Sequence, residues 1–204
     1  MSRSNRVRVR VSPWAAVLLA VFLLFASPNA LGAAVLAALC HEWGHWLTAR
    51  LCGAGVEEVY ISPFGVQMCL TQRPTLSYGR EALVLVAGPA VNIALAFFFA
   101  RCGARWPLCY TMAGAQLILG AFNLLPVRPL DGGNLLWLVI AWASEPITAE
   151  RMMRRVELVS VALLFLLALW IWRETESPFL LLAVAGMAKS LFPEKRLVKE
   201  RKRR

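Results

Sequence analysis

The sequence holds two histidines, and they stand four positions apart, in His41-Glu42-Trp43-Gly44-His45. Residues i and i+4 lie on one face of an α-helix. On a helix, therefore, both imidazoles converge on one point and Glu42 sits beside them. This H-E-x-x-H spacing lets two imidazoles hold Zn²⁺ while the carboxylate takes a proton from water and delivers it to a leaving group. The pattern also arises by chance on soluble helices. Here it falls inside an otherwise largely apolar stretch, 31–52, where an ionisable side chain costs several kcal/mol and marks function.

A catalytic zinc takes three protein ligands and keeps a fourth position open. With no third histidine, the remaining ligand must be a carboxylate or a thiolate. Asp131 is the sole aspartate of the chain, and it lies in an apolar stretch, 108–143, that is too long for one straight span. The run Asn123-Leu124-Leu125-Pro126-Val127-Arg128-Pro129-Leu130-Asp131-Gly132-Gly133 interrupts it, and no regular helix accommodates two prolines and two glycines so placed. Irregular backbone at membrane depth survives only where protein or a water-filled cavity surrounds it. The break is thus expected to aim Asp131 at the metal. Asp131 capping the helix that resumes at Asn134 is the competing reading. Cys40 is the thiolate alternative, but it points about 100° away from His41 around the helix.

Such ligands need elements to carry them, and the composition says which. Hydrophobic residues make up 59% of the chain and charged residues 17%, against about a quarter charged in soluble domains. Apolar stretches at about 13–28, 31–52, 81–101, 108–143, 156–173 and 178–193 predict an all-α polytopic membrane protein of about six spans. Connections would fall at 53–80 and 144–155. The net charge of +10 collects in basic tails, 1–12 and 194–204. Short basic segments beside spans stay cytosolic and attract anionic lipid. Both termini are therefore expected in the cytosol, and a nucleic-acid partner is not. The segment from Val56 to Leu70 mixes β-branched and apolar residues around Ser62-Pro63-Phe64-Gly65, which predicts a β-hairpin. A hairpin edge could receive an extended substrate as an added strand, or simply cap the helices. None of the five cysteines forms a C-x-x-C pair, so neither a disulfide framework nor a cysteine-rich zinc site is indicated.

With these residues in hand, the chain resembles the site-2 protease family of intramembrane zinc metalloproteases (peptidase M50). His41-Glu42-Trp43-Gly44-His45 matches the first family motif, and Asn123 through Gly133, ending Pro-Leu-Asp-Gly-Gly, matches the second. Ala87-Gly88-Pro89-Ala90-Val91-Asn92 is similar to the small-residue motif of the helix between them. Together they cover a three-helix catalytic core at about 31–143. The small size, six spans and lack of a PDZ domain most resemble the sporulation factor IVFB branch, here without room for a CBS domain. The resemblance implies a single membrane-embedded protease domain, 1–204, in a bacterial cytoplasmic membrane. Zn²⁺ would be held by His41, His45 and Asp131, with Glu42 as general base, acting on a membrane-tethered protein.

Asn92 and Asn123, polar within apolar stretches, would either bond freed backbone or support the transition state. Gly44, Gly88 and Gly133 would let the ligand-bearing segments approach closely. A non-proteolytic metal protein or transporter is the alternative from another class. It would want polar residues along several spans, and the first, fifth and sixth offer almost none. Another membrane zincin, such as one processing prenylated proteins, would draw a Glu ligand from a second helix, where this chain offers Asp131.

Overall fold

The computed structural model describes residues 8–11, 27–62, 65–71, 76–128, 130–175, 180–181 and 184–185. Its elements run β1 (Arg8–Val11), α1 (Pro28–Leu51), β2 (Gly55–Ser62), β3 (Gly65–Thr71), α2 (Tyr78–Cys102), α3 (Leu108–Asn123), α4 (Asp131–Ala143) and α5 (Pro146–Thr175). The expected first span up to residue 26, most of the last, the far ends of both tails and the Pro63-Phe64 turn lie outside the described residues. Two of the described helices, α2 and most of α5, are long and apolar enough to cross a bilayer.

The start and stop of α1 follow from local chemistry. The Ser27 hydroxyl accepts a hydrogen bond from the Ala30 N–H at 3.3 Å, and Pro28 opens the first turn, where its missing N–H costs nothing. At the other end Gly53 takes φ +84°, a left-handed conformation open to a residue without Cβ. The Gly53 N–H then reaches Arg50 O and the Ala54 N–H reaches Ala49 O, which satisfies carbonyls of the last turn. This stop turns the chain directly into β2.

Helices α1, α2 and α3 pack on one another, α4 packs on α2, and α5 on α4. Small residues set the closeness. A Cβ on Gly44 of α1 would lie 2.9 Å from Ala87 O of α2, and one on Gly120 of α3 would lie 3.0 Å from Asn92 Cβ. Where hydrocarbon surrounds a bundle, such close backbone approach supplies the dispersion contacts that hydrophobic burial supplies in water.

The long apolar stretch at 108–143 is two helices, α3 and α4, separated by 124–130. The next helix departs from expectation: α5 begins at Pro146, ten residues before the anticipated span, and absorbs the expected 144–155 connection. Charge concealed its helical period. Ala149, Met153, Glu157, Val161 and Ala168 are buried, each four or seven residues after the last, so one stripe runs through the polar and apolar halves alike. Val127, Leu130, Val161, Ala168 and Val184 form a core cluster where the 124–130 segment meets α5.

The strands form one sheet in the order β1-β2-β3. β2 and β3 run antiparallel, from Gly55 opposite Thr71 to Ser62 opposite Gly65, with an irregularity between Val56 and Glu58. β1 runs parallel to β2, pairing Arg8 with Glu58 and Val11 with Ile61. Part of the basic N-terminal segment is thus a strand. Its signal was the alternation Arg8-Val9-Arg10-Val11, the period of a pleated strand.

The tightness of the α2–α3 crossing predicts a contrast within α3. Gly120→Leu should destabilise the protein by about 1–3 kcal/mol through overpacking. Gly114→Leu, whose Cβ would meet nothing within 4 Å, should leave stability within about 0.5 kcal/mol. Thermal unfolding in detergent micelles measures both; equal shifts would refute the close crossing.

Candidate metal centre

Three side chains from two helices meet at one point. His41 and His45 lie on the buried face of α1, and Asp131 is the first residue of α4. His41 Nε2 and His45 Nε2 are 3.1 Å apart, and they lie 3.0 and 3.1 Å from Asp131 Oδ2. Asp131 makes no side-chain cap at the start of α4, where the Asn134 N–H is taken by Leu130 O instead. Its carboxylate is turned to the imidazoles.

The partners on the far sides of the rings decide what this triangle is. His45 Nδ1 lies 2.7 Å from Val84 O. A carbonyl only accepts, so Nδ1 carries a proton, and in the neutral ring Nε2 then presents a lone pair. His41 Nδ1 lies 2.7 Å from Asn92 Oδ1. That amide's orientation is settled by its other end, since Nδ2 donates to Ala37 O at 3.1 Å and to Gln116 Oε1 at 2.6 Å. His41 Nδ1 is therefore the donor, and in the neutral ring its Nε2 also presents a lone pair. With both rings neutral, two imine nitrogens and a carboxylate oxygen converge, and a bound cation relieves their mutual repulsion.

The triangle matches the cation expected. Ligand bonds of 2.0–2.1 Å in a tetrahedral zinc site place ligand atoms roughly 3.3 Å apart, close to the separations here. His₂Asp with nitrogen and oxygen donors suits zinc, and the Nδ1 bonds orient each ring as zinc-binding histidines require. His41, His45 and Asp131 form the one group of this kind among the described residues.

Glu42 follows His41 on α1; it is half-buried, with its Oε2 atom out of solvent. Asn92, buried on α2, is brought to the site as the acceptor for His41. Asn123 is not: its Nδ2 donates to Leu119 O of its own helix at 3.1 Å. Cys40 is half-buried and outside the metal-binding group. Trp43 and Trp46 face outward from α1.

The expected glycines act at close range. A Cβ on Gly88 would land on the His45 imidazole, and one on Gly133 would strike the backbone of Val127 and Arg128. Sequence reasoning passed over Gln116, fully buried on α3, which continues the chain from His41 through Asn92. The signal was present, since a glutamine within Met112–Ile118 is a polar group in an apolar span. It also passed over Arg128, inside the expected break, and Glu157, beside the start of the expected 156–173 span.

Two substitutions follow from this geometry. Asn92→Ala removes the acceptor that holds the His41 proton on Nδ1, and should weaken zinc binding about 10- to 100-fold. Gly88→Ala should displace His45 and weaken it at least as much. Competition with a chromogenic chelator on the purified protein measures both; wild-type affinity in Asn92→Ala would refute the tautomer argument.

A family model, Peptidase family M50, matches residues 100–167. The chain is 31% identical over 108 residues to zinc metalloprotease MJ0392 of Methanocaldococcus jannaschii, covering 50% of this chain and 31% of that protein. It is 30% identical over 145 residues to stage IV sporulation protein FB of Bacillus subtilis, covering 66% of this chain and 48% of that protein. The matched regions thus span less than half the length of these curated relatives. Among solved structures, the site-2 protease from Methanocaldococcus jannaschii superposes with a TM-score of 0.69 at 18% identity, over 94% of this chain and 92% of that one. That likeness establishes a shared fold. The match over residues 100–167 and the similarity to named zinc metalloproteases point toward peptidase family M50, and the chain shares the fold of that site-2 protease.

Proposed function

We propose that the protein is an intramembrane zinc metalloprotease that hydrolyses a peptide bond of a membrane-tethered protein within or beside the bilayer. The observation that carries this reading is the meeting of His41 Nε2, His45 Nε2 and Asp131 Oδ2 within 3.0–3.1 Å, with a carboxylate, Glu42, one residue from the first ligand. A transport or purely structural metal site has no use for a base in that position.

His41, His45 and Asp131 would hold the Zn²⁺. When bound, Zn²⁺ supplies Lewis-acid polarisation of the scissile carbonyl and of the attacking water. The protein does the rest. Glu42 takes the proton from the water and delivers it to the leaving amine, so one carboxylate serves as base and then as acid. Asn92 keeps the His41 proton on Nδ1, and Val84 O does the same for His45, so both Nε2 lone pairs stay available.

A helical substrate hides its amides in its own hydrogen bonds, so it must be received locally unwound. We take the sheet as the receiving element. β2 lies between β1 and β3, and among the described residues no strand pairs with the outer edge of β3, which suits it to an added strand. Six spans with both termini cytosolic place His41 and His45 in the cytosolic half of the span formed by α1. Water and substrate then arrive from the cytosolic side of a bacterial membrane. The basic residues before residue 12 and after residue 193 support this orientation.

The test is cleavage of a membrane-tethered reporter on co-expression, with zinc content measured on each purified protein. Glu42→Gln should retain zinc and lose cleavage by a factor of about 10²–10⁴. Asp131→Asn should lose both. Cleavage by Glu42→Gln at the wild-type rate would overturn the mechanism, and full zinc occupancy in Asp131→Asn would overturn the ligand set.

A further inference from the structure

The segment 124–130 that delivers Asp131 has lost its helical hydrogen bonds, and something must hold it. Arg128 provides the hold. Its Nε donates to Glu157 Oε1 at 2.7 Å, and one terminal nitrogen donates to Glu157 Oε2 at 3.3 Å. The terminal nitrogens also donate to Glu150, at 3.1 and 3.0 Å. The Arg128 backbone N–H donates to Glu157 Oε1 at 3.2 Å. A carboxylate of α5 thus stands where a helical carbonyl would have been, and the planar guanidinium forks across two carboxylates one helical face apart.

The two arms are not equal. The Glu157 side chain is 7% exposed, whereas that of Glu150 is 56% exposed. Water and salt screen the second pair and leave the first largely undiluted. The path from Arg128 to the metal ligand is short and stiff. Leu130, buried, donates its N–H to Val127 O, and the backbone of Gly133 lies directly against Val127 and Arg128. Asp131 lies between these two fixed points.

We propose that Arg128 is a positioning residue: pinned to Glu157, it fixes the broken segment against α5 and thereby sets where the Asp131 carboxylate stands relative to His41 and His45. The inference rests on the reading of those three residues as a zinc site.

The experiment measures zinc affinity of the full chain in detergent by competition with a chromogenic chelator. The electronic spectrum of the Co²⁺-loaded protein and the thermal midpoint are recorded alongside. Arg128→Ala and Glu157→Gln should bind zinc about 10- to 100-fold more weakly and show an altered Co²⁺ spectrum. Arg128→Lys, which keeps the charge without the fork, should fall between these variants and wild type. Glu150→Gln should stay within about threefold of wild type. If Arg128→Ala does not fold, Glu157→Gln and Arg128→Lys decide the matter. Folded variants that bind zinc as wild type does, with a lowered midpoint alone, would show a merely structural brace and overturn the proposal. A wild-type chain that binds no zinc would overturn the metal-site reading and this proposal with it, an outcome distinguishable from the previous one.

Discussion

Three electron pairs pointed at one another are the constraint on which the architecture turns. Two imidazoles and a carboxylate stand about 3 Å apart; with the rings neutral they repel one another, and a protein holds them so only by surrounding them with fixed partners. Each ring is held from behind, one by a backbone carbonyl and one by a buried amide. The carboxylate is held by the helix start on which it sits. A cation turns this arrangement from costly to favourable, because free energy of metal binding is then gained from a site already organised.

The surrounding packing serves that organisation. Gly44 and Gly88 let α1 and α2 approach until α2's backbone carbonyl and Asn92 reach the two rings. Asn92 is itself satisfied by Ala37 O and Gln116, so its acceptor is aimed rather than free to turn. In apolar surroundings such a network is demanding, since every member left unpaired carries its full desolvation cost. Concentrating polar atoms on one side of the histidines, and tying them to α1 and α3, keeps the rest of the bundle able to face lipid.

Breaking the helix between α3 and α4 is the second demand. A continuous helix through 108–143 would carry Asp131 along one axis with no freedom to aim it. Ending α3 at Asn123 and restarting at Asp131 puts the carboxylate at a helix N-terminus, where negative charge is favoured. The backbone groups released by the break are met partly by turns and partly by Glu157. The extension of α5 back to Pro146 is what brings that carboxylate within reach, so its charged early turns are part of the same design rather than a connection.

Spacing alone determined much of this protein: His41, Glu42 and His45 on one helix, a break ending at Asp131, and an apolar, helical chain. These are local or compositional properties, set by the helical period, by the prolines and glycines of 123–133, and by which residues tolerate hydrocarbon. The roles of Asn92 and Asn123 were not separable in sequence, because both are amides in apolar stretches; their different partners come from which helix each one faces. Gln116, Arg128 and Glu157 act through residues 24 or 29 positions away, and the parallel pairing of β1 with β2 joins residues 8–11 to 58–61. Such long-range contacts depend on how helices cross and strands align. That is decided by the packing of all the elements together, and no local pattern of residues encodes it.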